Sequence, residues 1–111
     1  MSAWSDHLEH DVQGLVLRSG TNLYPGVATA IAGLDWLEAH NAVVLGFDGL
    51  DTDGRYIRPR LDRIADFSRD LPADWTERVR LTIRAARSTL GNWSDVQLID
   101  LVVDEAEDAE A

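Results

Sequence analysis

Three aspartates between residues 48 and 54 come closer to a metal site than any other side chains in the sequence. The run Asp48-Gly-Leu-Asp51-Thr-Asp53-Gly54 places carboxylates ahead of a glycine, as in the first half of a calcium-binding EF-hand loop. When Gly54 is aligned with the glycine of that loop, Gly49 stands at the first ligand position and Arg60 at the final glutamate. We therefore predict no metal site here, and we interpret the run as a solvated Asp-Gly hairpin.

The histidines also fall short of a metal-binding pattern. His7 and His10 are three residues apart, whereas the zinc-binding helix motif needs two histidines four apart with a glutamate directly after the first. We interpret both as polar residues on the exposed side of a helix. His40 is interpreted as a cation that the helix dipole favours at a helix C-terminus.

The sequence contains none of the common arrangements for covalent catalysis. There is no Gly-x-Ser-x-Gly elbow and no phosphate-binding glycine loop, and without cysteine and lysine the chain has neither thiol nor Schiff-base chemistry. Carboxylate pairs are inevitable among 20 acids, so their presence decides little. We predict a protein that is not an enzyme and that needs no cofactor.

The charges are strongly segregated along the chain. All ten basic residues are arginines, and nine of them lie between Arg55 and Arg87, which gives net charges of −7, +4 and −7 for residues 1–54, 55–93 and 94–111. A helix over 74–91 places Arg80, Arg84 and Arg87 on one face, where they could grip phosphates. A total charge of −10 disfavours binding to nucleic acid. We therefore expect these arginines to pair with acids of neighbouring elements.

Four tryptophans are candidates for the core or for contact with a partner. Trp4 and Trp75 fall in apolar helical stripes and are predicted to be buried. Trp36 lies off the stripe of its helix and Trp93 follows Gly91 in a loop, so either one is a candidate for an exposed anchor that contacts a partner.

The apolar spacing predicts three main helices. Amphipathic helices are predicted over 3–18 and 27–39, the second ending at Asn41 in a left-handed conformation. The third begins after Asp74, which forms a capping box with Glu77, and ends at Gly91.

The strand signals are shorter. Residues 42–47 form an apolar, β-rich run typical of a central buried strand, and residues 48–54 are predicted to turn the chain into a second strand over 55–58. Pro59 is predicted to end that strand, and residues 61–68 are predicted to form one or two helical turns.

A third strand over 96–103 is predicted beside the central one. The resulting fold class is α+β, a single compact domain over 1–103 with a small, mainly antiparallel three-stranded sheet packed against three to four helices. The acidic segment 104–111 is expected to be a disordered tail.

The sequence also indicates the cellular compartment in which the protein is expected. The N-terminus lacks the basic start and apolar run of a signal peptide, no stretch approaches the length of a membrane span, and the absence of cysteine fits a reducing compartment. We expect a cytoplasmic protein that binds no membrane.

Part of the chain resembles a known class of protein. The segments Leu34-Asp-Trp-Leu-Glu38, Val44-Leu-Gly-Phe-Asp48, Asp53-Gly54 and Ile64-Ala-Asp-Phe-Ser68 are similar to those of small immunity proteins of bacterial toxin systems, over about residues 30–68. The resemblance implies a cytoplasmic domain that binds and blocks a cognate toxin.

A basic toxin, such as a nuclease, would be steered electrostatically towards an acidic inhibitor. The candidate residues for contact with such a toxin are Asp48, Asp51, Asp53, Trp36 and Glu38. Two alternatives remain: a structural or regulatory interaction domain that forms a homodimer, and a small metal-dependent enzyme.

Overall fold

The structure, a computed structural model, describes residues 3 to 105. Eight elements follow one another along the chain: α1 (Ala3–His10), β1 (Val16–Ser19), β2 (Asn22–Pro25), α2 (Val27–Ala39), β3 (Ala42–Thr52), β4 (Ile57–Asp66), α3 (Trp75–Gly91) and β5 (Leu98–Glu105).

The main sheet has three antiparallel strands in the order β4-β3-β5. The predicted α+β fold is confirmed, as is the prediction that the strand beginning at Ala42 is central with the last strand beside it. Strands β1 and β2 form a separate hairpin, which reaches β5 through a single bridge between Gly26 and Leu98. The described residues contain three helices, at the lower end of the three to four predicted.

Helices α2 and α3 cover one face of the sheet. Phe47 of β3 and Ile99 of β5 belong to the same buried cluster as Leu34 of α2 and Ile83 of α3. Since side chains alternate between the two faces of a strand, the residues on either side of Phe47 point away from the helices. This alternation sets the position of the candidate site.

The two longer helices match their sequence signals. Helix α2 spans the predicted 27–39, and Asn41 after it has a φ of 59°. At the start of α3, the Asp74 side chain accepts a hydrogen bond from the backbone N–H of Glu77 at 3.0 Å. Both helix ends were predictable from one local residue each. Asn41 adopts the left-handed conformation that ends α2, and Asp74 accepts a hydrogen bond from a free backbone N–H at the start of α3.

The first helix is shorter than predicted. It ends at His10, and Val16, assigned to its apolar stripe, instead pairs with Pro25 in the β1–β2 hairpin. Gly20 at the turn has a φ of +60°, a conformation that glycine adopts without strain. The prediction of helix over 11–18 is therefore wrong, because pairing in the hairpin outweighs a weak helical stripe.

Strand β3 is longer than predicted. It continues through Asp48 and Gly49 to Thr52, so the predicted turn over 48–54 is wrong except at its end. The chain turns at the second Asp-Gly pair, where Gly54 has a φ of +95° and Asp53 accepts hydrogen bonds from the backbone N–H groups of Arg55 and Tyr56.

The largest error concerns residues 59–68. Pro59 does not end a strand, and the predicted helical turns over 61–68 are absent, since β4 runs from Ile57 to Asp66. Pro59 is tolerated because β4 lies at the edge of the sheet, where a missing backbone donor costs little. Between Pro59, which pairs with Leu50, and Ile64, which pairs with Asp48, β4 bulges outward.

The C-terminal part of the chain is described up to Glu105. Strand β5 includes Asp104 and Glu105, two residues of the segment expected to be a disordered tail, and residues 106–111 lie outside the described part. The Glu105 side chain is buried and accepts a hydrogen bond from the backbone N–H of Trp4 at 2.8 Å. Within residues 3–105, no helix is long and apolar enough to cross a bilayer.

Candidate functional site

The structure divides the five candidate contact residues between two sides of the sheet. Trp36 and Glu38 lie on α2, which packs on the face that carries Phe47. Asp48 follows Phe47 directly, so its side chain points to the opposite face. The five residues therefore do not form one continuous surface.

Trp36 is half-buried in an aromatic stack instead of standing out as an anchor. Its ring lies between those of His7 and His40, with centroid distances of 4.5 Å and 3.8 Å. Trp93 is buried against Phe47, with ring centroids 5.1 Å apart, so the prediction that it is exposed is wrong. Trp4 is buried as predicted, and Trp75 is half-buried.

Asp51 and Asp53 are already paired with arginines. Asp53 lies 3.2 Å from the Arg58 guanidinium, and the pKa of its carboxyl is lowered by the backbone hydrogen bonds from Arg55 and Tyr56 and by the charge of Arg58. Asp51 lies 3.5 Å from Nη1 of Arg60. These contacts give both carboxylates a role in holding the β3–β4 hairpin.

Arg60 and Arg63 gather a larger group of acids at the same edge of the sheet. We call this group the edge cluster; its members are Asp51, Arg60, Asp62, Arg63 and Asp95. Asp95 lies 3.3 Å from Arg60 and 2.8 Å from Arg63, which ties the bulge of β4 to the loop before β5. A hydrogen bond from Arg60 lowers the pKa of Asp62, and hydrogen bonds from Arg63 and Arg60 lower the pKa of Asp95.

Arginines of α3 also form ion pairs with acids of the same protein. Arg80 pairs with Glu77 on the same helix, and Arg87 reaches across to α2, 2.6 Å from Asp35 and 3.5 Å from Glu38. The expectation of pairing with acids of a neighbouring element is confirmed for Arg87, whereas Arg80 pairs within its own helix. Arg84 is exposed and, within residues 3–105, forms no ion pair.

One acidic surface has no arginine among its own residues, and an arginine charge acts on it at Asp66, where hydrogen bonds from Ser68 and the charge of Arg69 lower the pKa. We call it the open face, and it consists of Gly46 and Asp48 of β3, Ile64 and Asp66 of β4, and Asp100 and Val102 of β5. The strand register arranges these residues in two rows, Asp66-Gly46-Val102 and Ile64-Asp48-Asp100. Ile64 and Val102 are 58% and 53% exposed, so the face presents apolar side chains beside its carboxylates.

The two carboxylates at the centre of the open face repel each other. Asp48 and Asp100 are direct partners in the antiparallel ladder, where paired side chains have Cβ atoms about 4.5 to 5.5 Å apart. Burial and the nearby charge of Asp48 raise the pKa of Asp100. Among residues 3–105, no arginine forms an ion pair with either carboxylate.

A groove of about 370 Å³ runs along the open face. It is lined in part by Gly46, Asp48, Ile64, Asp66 and Val102. Residue 46 must be glycine, because an added Cβ would lie 2.4 Å from the carbonyl oxygen of Ala65. Glycine at this position lets the backbone of β4 approach β3 closely beside Asp66.

A second groove of about 410 Å³ lies between α1, the loop after it and α2. His7 and Asp11 line it, with His7 Nδ1 3.5 Å from Asp11 Oδ2. Within residues 3–105, no three acidic or histidine side chains converge closely enough to hold a metal ion.

Sequence reasoning named Asp48 but missed its neighbours on the open face. Ile64, Asp100 and Val102 lie on two other strands, so only the register reveals that they meet. Along β5 only Asp100 interrupts the apolar run over 98–103, and the predominance of apolar residues there indicated burial on both faces. Comparisons of this chain with protein-family models, with curated proteins and with solved structures found no significant match.

Proposed function

We propose that this protein acts by stoichiometric binding and captures a basic protein, in the manner of an immunity protein that neutralises a toxin. The observation that carries the proposal is the pairing of Asp48 with Asp100 on an exposed face that carries no arginine. Like charges placed directly opposite each other on neighbouring strands destabilise a sheet, so this arrangement does not serve folding. A cationic partner would relieve the repulsion.

The distribution of arginines supports this assignment. Six of the ten arginines are committed to ion pairs within the described fold: Arg18, Arg58, Arg60, Arg63, Arg80 and Arg87. Within residues 3–105 none of these pairs involves Asp48 or Asp100, so part of the net charge of −10 is left without an arginine partner at the centre of the open face. A basic protein is drawn to such a surface by its long-range field, which raises the rate of association at low salt.

Self-association through the open face is disfavoured by the same charges. Two copies meeting face to face would bring Asp48 and Asp100 of one copy against the same carboxylates of the other. A homodimer built on this face would have to bury four carboxylates without partners, which is costly. Catalysis has less support than binding: in the groove on the open face the Ser68 hydroxyl donates a hydrogen bond to the Asp66 carboxylate, but no histidine lines this groove to complete a catalytic arrangement.

Capture followed by reconstitution tests the proposal. The tagged full chain is used to isolate binding proteins from its native cells, and each one is then purified and recombined with the chain. We expect a 1:1 complex by light scattering with a protein of high isoelectric point, and an association rate that falls steeply as salt is added. Association that is insensitive to salt, or a partner without a basic surface, would contradict the proposal.

A further inference from the structure

The groove on the open face has the shape and the wall chemistry to take one long cationic side chain. Gly46 lines it without a side chain, and Ile64 and Val102 line it as exposed apolar walls. Asp48 lines the groove, and Asp100 lies directly across from Asp48 on the neighbouring strand. Asp66 lines it at the other end, next to Gly46.

We infer that this groove binds an arginine side chain of the partner, with the guanidinium between Asp48 and Asp100 and the aliphatic stem against Ile64 and Val102. The inference rests on the proposed function and specifies which chemistry of the basic partner the open face recognises. A guanidinium has donors on two edges, so it can bind both carboxylates of a cross-strand pair at once.

An arginine fits this groove better than a lysine. The guanidinium is planar and weakly hydrated, whereas an ammonium group is a compact ion that holds its water strongly. Asp100 is half-buried, and part of the groove wall is apolar, so a cation loses water when it enters. The desolvation cost on entering the groove is therefore smaller for the guanidinium than for the ammonium group.

A divalent metal ion fits the groove less well than a guanidinium. Calcium takes six to eight oxygen ligands, and magnesium requires a near-octahedral set. Asp48 and Asp100 supply only two carboxylates, and the Asp66 carboxylate already accepts hydrogen bonds from the backbone N–H and hydroxyl of Ser68, at 2.9 Å and 2.6 Å.

Short peptides presented to the full chain test the inference without requiring the natural partner. Three capped tripeptides serve as probes: Val-Arg-Val, Val-Lys-Val and the same peptide with neutral citrulline in the centre. Binding is followed by two-dimensional amide NMR of the isotope-labelled protein.

We expect the arginine peptide to shift the amides of Gly46, Asp48, Asp100 and Val102 in a saturable way. We expect the lysine peptide to bind several-fold more weakly and the citrulline peptide to cause no saturable shift. The double variant D48N/D100N should weaken binding of the arginine peptide by about tenfold or more, because it removes the charge-assisted contacts to both carboxylates. The control D6N/D70N changes the net charge equally, at two exposed aspartates outside the groove, and should bind as the wild type does.

Three results would overturn the inference. The first is equal binding of the arginine and citrulline peptides, and the second is an equal loss of binding in both double variants. The third is the appearance of the same amide shifts when the protein alone is concentrated, together with their loss in R84Q. That result would mean that Arg84 of a second copy of the chain occupies the groove. None of these results bears on whether a basic protein is captured, so failure of this inference is distinguishable from failure of the proposed function.

Discussion

The two faces of the central sheet are built on the same strands and have opposite physical characters. Phe47 on the covered face is 2% exposed and packs edge-on against Phe67 and Trp93. The next residue, Asp48, points the other way and meets a second carboxylate across the strand. The covered face thus lowers the free energy of folding, whereas the open face raises it, which is the behaviour expected of a surface kept for binding.

The edge cluster shows that acidity alone does not mark the site. It contains three aspartates, more than the pair at the centre of the open face, but Arg60 and Arg63 hold all three. Their effect is to tie the bulge of β4 to the loop before β5. On this sheet an aspartate therefore stabilises the fold where an arginine accompanies it, as in the edge cluster, and costs stability where a second carboxylate faces it, as at Asp100.

The largest loss of stability is expected from a substitution on the covered face. Replacing Phe47 by alanine removes a buried ring from the centre of the core, and we expect it to lower the free energy of unfolding by about 3 to 5 kcal/mol. Urea denaturation followed by circular dichroism measures the change. A loss below about 1 kcal/mol would mean that this face does not carry the core.

A second effect concerns the buried carboxylate at the end of β5. Glu105 accepts hydrogen bonds from the backbone N–H groups at the start of α1, so E105A leaves these donors without their acceptor and should cost about 1 to 3 kcal/mol. The control E105Q keeps an acceptor oxygen and should cost less. Equal losses in the two variants, measured by urea denaturation, would show that packing rather than hydrogen bonding is responsible.

The third effect has the opposite sign. We expect D100N to raise the free energy of unfolding by about 0.2 to 1 kcal/mol at neutral pH, because it removes a charge that is disfavoured by burial and by the repulsion from Asp48. The pKa of Asp100 is raised in the folded protein, so the folded state binds this proton more tightly than the unfolded state does. The cost of the charge is present above the raised pKa and disappears as the pH falls through it.

Denaturation of D100N and of the wild type at neutral pH and below 3.8, the ordinary value for aspartate, therefore tests both the sign and the pH dependence. The gain should vanish at the lower pH. The double variant D48N/D100N should gain less than the sum of its single variants, because the two residues share one interaction. If D100N is less stable than the wild type at neutral pH, the claim that the carboxylates of the open face cost stability is wrong.

The smallest effect is expected in the edge cluster. D95N removes the carboxylate shared by Arg60 and Arg63, and we expect a small loss of stability at low salt that high salt reduces. The pKa of Asp95 is lowered in the folded protein, so its contribution is present above 3.8 and is lost as the pH falls through the lowered value. Thermal unfolding of the variant and the wild type across pH measures this loss, and a stabilised D95N would contradict the assignment.

The sequence predicted those elements whose signals are local. Helix α3 carries its own N-terminal cap at Asp74, and α2 ends at Asn41 in a left-handed conformation, so neither depends on distant residues. Strand β4 was missed because Leu61, Ile64 and Ala65 also fit a helical spacing, and because the tolerance for Pro59 depends on the strand being at an edge.

The site was only partly predictable for the same reason. Two Asp-Gly pairs, at 48–49 and 53–54, carry the same turn signal, but only the second turns, since Asp48 is held between two strands. Asp48 was named from its residue type and its neighbours along the chain. Its partnership with Asp100 depends on a register that includes a bulge near Gly46, and that register is fixed by tertiary packing.

The most direct test of the open face as the docking surface compares two variants of equal charge. Dissociation constants for the captured basic partner are measured at physiological salt for the wild type, for D48N/D100N and for D6N/D70N. We expect D48N/D100N to bind at least about tenfold more weakly than D6N/D70N, which should remain close to the wild type. Equal affinities in the two double variants would show that the partner responds only to total charge and that the open face is not where it binds.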